Sequence, residues 1–110
     1  MSANARIDLP QAKIAQFCHK WLITELALFG SVLRDDFGPG SDVDVLVTFA
    51  GDATWSLLDI VHMQEELTSL VGRPVDLVEA AGLRNPFRRH AILSSREVVF
   101  AAGWPRVARR

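Results

Sequence analysis

Two aspartates, Asp42 and Asp44, lie two positions apart in a segment that is otherwise rich in valine. Side chains at positions i and i+2 of a β-strand project to the same face of a sheet, so both carboxylates would point the same way. Val43, Val45 and Val47 would then pack on the opposite face. Two carboxylates about 4 Å apart repel each other by about 4 kcal/mol at an effective dielectric constant of about 20. A strand buried on both faces therefore tolerates such a pair only when a cation neutralises it.

A third acid, Asp76, lies within the apolar run Val-Asp-Leu-Val. Carboxylates supply the hard oxygen ligands that Mg²⁺ or Mn²⁺ prefers, and these ions complete their coordination with water and substrate phosphates. Two such cations form a common clamp for phosphoryl transfer. The sequence therefore predicts that Asp42, Asp44 and Asp76 are metal ligands and catalytic residues.

The dipeptide Gly30-Ser31 follows an apolar run and precedes a short helical pattern. A strand that enters a helix through such a turn presents free backbone N–H groups, which suit an anion. Glycine allows a close approach to a phosphate, and the Ser31 hydroxyl adds a donor. Arg34 lies one helical turn further on, where it can reach another phosphate oxygen. We therefore expect Gly30, Ser31 and Arg34 to bind phosphate groups.

Hydrophobic periodicity and turn residues predict the elements that must position these side chains. Helices are expected over residues 10–21, 32–36, 54–71 and 85/86–93, and strands over residues 25–29, 42–49, 75–79 and 97–101. Thr54 is the expected N-cap of the long helix and Gly72 its C-cap. The alternation of helices and strands predicts an α/β (α+β) domain in which helices pack on a sheet.

The composition is that of one ordinary globular domain over residues 1–110, because 49% of the residues are hydrophobic and 23% are charged. The formal net charge of -1 argues against direct nucleic-acid binding. No stretch approaches the roughly 18 apolar residues of a membrane span, so a cytoplasmic location is expected. Residues 1–6 and 104–110 are expected to be flexible ends.

The candidate residues occur in the order Gly30-Ser31, Arg34, Ser41-Asp42-x-Asp44 and Asp76. This order resembles the signature of the DNA polymerase beta-like nucleotidyltransferase superfamily. More narrowly, the chain resembles the minimal nucleotidyltransferase (MNT) proteins, which are encoded beside HEPN-domain ribonuclease toxins. The resemblance covers nearly the whole chain. One difference is Asp35, where many members carry glycine after the arginine, and an acid at this place would weaken nucleotide binding.

The resemblance implies a mixed-sheet nucleotidyltransferase fold that transfers AMP from ATP to a hydroxyl group. It also implies that Asp42 and Asp44 hold two Mg²⁺ ions, with Mn²⁺ as an alternative. By the same likeness, Asp76 would hold the catalytic ion and help to deprotonate the acceptor.

The resemblance further implies that Gly30 and Ser31 grip the triphosphate, with Arg34 and Ser41 as additional nucleotide-binding residues. In the subgroup, the acceptor is a tyrosine hydroxyl of the HEPN toxin, and the small protein adenylylates it as an antitoxin. A homo- or hetero-oligomer is therefore expected.

Two other functions stay open at this point. The chain could neutralise its partner by occlusion, with a dormant active site. It could also modify a small molecule, as antibiotic-modifying nucleotidyltransferases do, although those carry a further helical domain for the acceptor. The intact acids favour an active enzyme, because a pure binding module gains nothing from clustered charge.

Other reactive or aromatic residues have simpler explanations. Three histidines show no spacing typical of metal ligation: His19, His62 and His90. The only cysteine, Cys18, is expected to be a buried hydrophobic residue. Aromatic residues are common at interfaces, so Trp55, Phe87 and Trp104 either face a partner or complete the core, and Trp104 is the best interface candidate.

Overall fold

The structure is a computed structural model that describes residues 9–33, 38 and 40–102. Its elements are α1 (Gln11–Lys20), β1 (Ile23–Phe29), a 3₁₀ turn (Gly30–Leu33), β2 (Val43–Phe49), α2 (Leu57–Val71), β3 (Val75–Glu79), a second 3₁₀ turn (Ala80–Gly82), α3 (Pro86–Ser95) and β4 (Glu97–Ala101). The predicted strands and the three longer predicted helices are all present, which confirms the α/β organisation. Of the helical piece predicted over residues 32–36, the first two residues lie in the first 3₁₀ turn, which begins at Gly30, and residues 34–36 lie outside the described ranges.

The four strands form one mixed sheet in the order β3-β2-β1-β4. β1 pairs antiparallel with β2 and with β4, whereas β2 and β3 are parallel and α2 connects them. Because β1 runs opposite to β2 and β3, the last residue of β1 and the first residues of β2 and β3 meet at one end of the sheet. We call this region, which contains Phe29, Val43 and Val75, the site end.

The larger hydrophobic core lies between one face of the sheet and the helices α1 and α2. Val43, Val45 and Val47 belong to this core and are buried, which confirms the alternation predicted for β2. Met63 and Leu67 of α2 pack in the same core. Since burial of an aliphatic side chain contributes about 1.5–3 kcal/mol, this core fixes the position of β2.

A smaller core lies on the opposite face, where Leu46 packs with Phe29 of β1, with Leu83 and with Ile92 of α3. Leu46 alternates with the valines of the larger core, so the middle of β2 is buried on both faces. Asp44 shares the face of Leu46 but lies closer to the site end, where it is half-buried.

The structure corrects the predicted start of α2. Thr54 is not the N-cap, because the helix begins at Leu57 and Ser56 caps it. The Ser56 hydroxyl accepts from the amide of Asp59 over 3.1 Å, and the Asp59 carboxylate accepts from the amide of Ser56 over 3.0 Å. This reciprocal capping box outcompetes a cap two residues earlier because it satisfies two backbone donors. Gly72 is confirmed as the C-cap, with φ of 80°.

Other element boundaries differ by one or two residues. β1 begins at Ile23 rather than at residue 25, since Ile23 still pairs with Phe49 before a bulge. β2 begins at Val43, so Asp42 directly precedes the strand. α3 continues to Ser95, because the amide of Arg96 still donates to the carbonyl of Ile92 over 2.9 Å.

Trp55 lies at the edge of the larger core rather than on an open surface. Its indole N–H donates to the carbonyl of Trp21 over 3.0 Å, and the two rings meet edge to face at 5.2 Å. Cys18 is fully buried, and this burial raises the pKa of its thiol to about 12, which confirms a structural role. Phe87, by contrast, is 85% exposed.

Several predictions fall outside the described residues: Arg34, Asp35, Trp104 and the flexible ends at 1–6 and 104–110. None of the helices within the described part of the chain is long and apolar enough to cross a membrane.

The capping box provides a test of the corrected start of α2. Replacement of Ser56 by alanine should lower the free energy of unfolding by about 1 kcal/mol, because the amide of Asp59 loses its acceptor. For a domain of this size, Tm should fall by about 5 °C. The matched control is Thr54→Ala, which should change stability by less than about 0.5 kcal/mol. Equal losses in thermal scans of both variants would contradict the assignment of Ser56 as the cap.

Candidate functional site

Two of the predicted acids are direct neighbours at the site end of the sheet. In the parallel register of β2 and β3, Asp44 lies opposite Asp76. Strands of a sheet lie about 4.8 Å apart and register partners project to the same face, so the two side chains share one face. Asp44 is half-buried and Asp76 is exposed. The pairing of β2 with β3 therefore brings together two acids that lie in separate segments of the sequence.

Asp42 lies at the same end, one residue before β2. It is exposed, and it stands two positions before Asp44. The ladder between β2 and β3 starts directly after it, because the amide of Val43 donates to the carbonyl of Pro74 over 2.8 Å. All three predicted acids are thus brought to the site end.

The backbone gathers these acids, but their side chains do not form a completed metal site. Among the residues that the structure describes, no three His, Cys, Asp or Glu side chains are grouped so that they could hold a metal ion as they stand. Mutual repulsion favours separate orientations of like charges when no cation lies between them. The donor set itself, three carboxylates, fits a hard divalent cation. Side-chain rotation would therefore have to complete the site.

Gly30 has a role that the sequence did not indicate. Its φ is +76°, and a Cβ atom at this position would lie 2.3 Å from Oδ2 and 3.2 Å from Cγ of Asp44. Such a distance is far below van der Waals contact, so a side chain at this position would force the Asp44 carboxylate to move, whereas glycine lets it lie beside the turn. The turn and the carboxylate therefore lie next to each other, with Ser31 following directly in the 3₁₀ turn.

Ser41 is part of the loop that leads to Asp42. Its hydroxyl accepts from the amide of Gly38 over 3.2 Å, and its own amide donates to the carbonyl of Gly38 over 3.0 Å. A hydroxyl that accepts one hydrogen bond still keeps its proton for another partner. Ser41 therefore closes the loop and retains a donor. Arg34, the remaining predicted phosphate ligand, belongs to the residues outside the described ranges.

Sequence reasoning missed the residues that hold β3 in place. The Thr68 hydroxyl accepts from the amide of Val75 over 3.2 Å, and the Gln64 side chain accepts from the amide of Leu77 over 3.1 Å. These two amides flank Asp76 on either side. The helical spacing of Gln64 and Thr68, one turn apart on α2, was the only available signal, and it does not identify a partner on another element.

The sequence of this domain matches a known protein family. Residues 12–99 match the family model for nucleotidyltransferase domains. The chain belongs to the nucleotidyltransferase domain family. The expected enzyme class is thereby confirmed.

The nucleotidyltransferase domain has named relatives at moderate identity. The protein adenylyltransferase MntA of Thermococcus cleftensis is 36% identical over 78 residues, which cover 71% of this chain and 74% of the relative. The likeness extends over most of both chains.

Solved structures share its fold. A toxin–antitoxin structure with AMP-PNP contains a chain with a TM-score of 0.69 at 19% identity, and the match covers 88% of this chain and 77% of that one. A tri-AMPylated Shewanella oneidensis HEPN toxin in complex with an MNT antitoxin gives a TM-score of 0.61 at 18% identity, with 89% and 75% covered. At these identities the comparison supports the fold, and the predicted nucleotidyltransferase fold is confirmed.

The contact between Gly30 and Asp44 can be tested with two glycine variants. Gly30→Ala and Gly72→Ala both force alanine into a left-handed backbone conformation, which costs about 1–2 kcal/mol. Only Gly30→Ala adds a clash, because nothing lies within 4 Å of a Cβ atom at Gly72. Denaturant unfolding should therefore show a clearly larger loss of stability for Gly30→Ala. Equal losses would show that displacing the Asp44 carboxylate costs nothing, so that its contact with the Gly30 turn does not stabilise the fold.

Proposed function

We propose that this nucleotidyltransferase domain is a Mg²⁺-dependent protein adenylyltransferase that transfers AMP from ATP to a tyrosine hydroxyl of a HEPN-domain toxin, and that it acts as the antitoxin. The observation that carries the proposal is the register in which Asp44 lies opposite Asp76 beside the Gly30 turn. The names of similar proteins support it, since MntA is named a protein adenylyltransferase and the two solved structures are toxin–antitoxin complexes.

In this proposal, Asp42, Asp44 and Asp76 hold two Mg²⁺ ions, and Mn²⁺ satisfies the same ligand preference. The ions would neutralise the developing charge on the ATP phosphates and on the pyrophosphate leaving group. The backbone needs no rearrangement, because the ladder of β2 and β3 already sets the Cα atoms of Asp44 and Asp76 opposite each other. The remaining convergence of the ligands would come from rotation of their side chains.

The transfer step requires a base close to the acceptor. The tyrosine oxygen attacks the α-phosphorus of ATP, a new O–P bond forms, and the bond from this phosphorus to the bridging oxygen breaks to release pyrophosphate. Asp76 is exposed at the site end and takes the proton of the attacking hydroxyl. A positioned general base of this kind contributes about 100- to 10,000-fold to the rate.

The triphosphate would be held by the two loops beside these acids. Gly30 and Ser31 lie next to the Asp44 carboxylate, so phosphates bound at their turn would lie close to the metal ligands. Ser41 retains a hydroxyl proton that it can donate to a phosphate oxygen. Arg34, which directly follows the first 3₁₀ turn, would add a charged donor.

The exposure of the site suits a macromolecular acceptor. Asp42 and Asp76 are exposed at the end of the sheet, and no described element covers them in the way that a deep small-molecule pocket would. A tyrosine on the surface of another protein can reach such a site only if that protein docks beside it. A stable or transient hetero-complex with the toxin is therefore part of the proposal.

Removal of single carboxylates tests the catalytic assignment. Asp42→Ala, Asp44→Ala and Asp76→Ala should each lower the rate of AMP transfer by about a thousandfold or more, because the metal-mediated stabilisation of the transition state is lost. Asp52→Ala, at the exposed turn that follows the opposite end of β2, should keep the wild-type rate. Transfer can be measured by mass spectrometry of the co-purified toxin as a mass increase of one AMP per site. Retained transfer by Asp44→Ala would exclude this site.

Modification and occlusion can be separated with a double variant. Asp42→Ala combined with Asp44→Ala should still bind the toxin but should fail to restore growth of cells that express it. Binding is measured by titration with purified toxin, and neutralisation by growth on co-expression. If the double variant neutralises the toxin fully, occlusion is sufficient and the enzymatic antitoxin role is wrong.

A further inference from the structure

The geometry points to Arg73 as a positioning residue for the proposed metal site. Arg73 lies two residues before β3, which carries Asp76, and it hydrogen-bonds to Gly38 and Ser41 in the loop that leads into Asp42. This inference rests on the proposed function, because it assigns the support of the same carboxylates.

The first observation is a pair of hydrogen bonds from one guanidinium nitrogen. Arg73 is half-buried between α2 and β3. Its Nη2 donates to the backbone carbonyl oxygen of Gly38 and, over 3.0 Å, to that of Ser41. Both ends of the loop are therefore attached to the same side chain.

The second observation is that the loop has little else to order it among the described contacts. Its own hydrogen bonds join only Gly38 to Ser41, through the amides of both residues. The loop sequence is Gly-Pro-Gly-Ser, and glycine loses more conformational entropy than other residues when it is ordered. Hydrogen bonds from a side chain outside the loop therefore contribute to holding the loop in one conformation.

The third observation concerns Asp42, which has a tethered neighbour on each side. Ser41 is bound by Arg73 through its carbonyl oxygen. Val43 donates its amide to the carbonyl of Pro74 over 2.8 Å. Two consecutive residues directly before β3, Arg73 and Pro74, therefore bind both neighbours of Asp42. The distance between the Asp42 carboxylate and the carboxylate carried by β3 depends on this connection.

The chemistry of arginine suits this role. Its planar guanidinium fixes the directions of the two N–H bonds of Nη2, so this one nitrogen can donate to both carbonyl oxygens without reorganisation. Lysine keeps the charge but presents a compact ammonium group on a flexible stem. Substitutions at this position can therefore distinguish an effect of geometry from an effect of charge.

The decisive experiment is a titration of the full chain with Mn²⁺, followed by electron paramagnetic resonance of the free ion. Residues that orient metal ligands from outside the coordination sphere typically change metal affinity by about 10- to 100-fold, and we expect a loss in this range for Arg73→Gln. Arg73→Lys should recover only part of the loss. The matched control is Arg89→Gln, because the Arg89 guanidinium also donates to a backbone carbonyl, that of Ala80 over 3.3 Å, but away from the site end.

A second measurement reports on the loop without any metal. Amide hydrogen exchange at Ser41 and Val43 should be faster in Arg73→Gln than in the wild type and unchanged in Arg89→Gln. A role in overall stability alone would lower Tm without changing the Mn²⁺ affinity of the folded protein or the local exchange.

The outcomes separate the two proposals. Wild-type affinity together with wild-type exchange in Arg73→Gln overturns the positioning role, and so does full recovery in Arg73→Lys, since charge alone would then be sufficient. If the wild type itself binds no Mn²⁺, the proposed function fails, whereas faster exchange beside Asp42 would still support the tether. Arg73→Lys provides the same measurements if Arg73→Gln does not fold.

Discussion

The parallel pairing of β2 with β3 places two acidic residues, Asp44 and Asp76, opposite each other on one face of the sheet, and the rest of the fold maintains this pairing. The acids do not stabilise the register themselves, because like charges repel. The register is set by the valines on the opposite face of β2, since a slip by one residue would move all of them out of the larger core. Apolar burial therefore supplies the energy that keeps the two aspartates in register.

The helix between the two strands stabilises this pairing in two ways. Met63 and Leu67 bury one stripe of α2 in the larger core. Gln64 and Thr68 accept from amides of β3, which lies at an edge of the sheet. An edge strand exposes backbone donors that invite another strand, so side chains that accept from them protect the edge and also hold the strand in place. One helix thus sets both the depth of β3 in the fold and its position along β2.

The two parts of β2 have different roles. Its middle, around Leu46, is buried on both faces, whereas its start carries the acids at the open end of the sheet. A core of this kind tolerates many apolar replacements as long as volume and alternation are kept. This explains how chains with 18% or 19% identity share the fold at TM-scores of 0.61 to 0.69.

The sequence by itself determined the features that depend on neighbouring residues. The alternation of Asp42, Val43 and Asp44 predicted which face each side chain takes, and Gly72 predicted the end of α2, because strand alternation and left-handed caps are local properties. The acids at the site end and the turn at Gly30 were also identified from their residue types and order.

Only the tertiary structure decided the features that join distant segments. It paired Asp76 with Asp44, filled the space at Gly30 with a carboxylate, and attached Arg73 to the loop before Asp42. It also moved the cap of α2 to Ser56, where a reciprocal pair of hydrogen bonds with Asp59 competes better than a single cap. No local pattern encodes these contacts, because each partner is selected by the packing of helices on the sheet, which brings together residues that lie far apart in the chain.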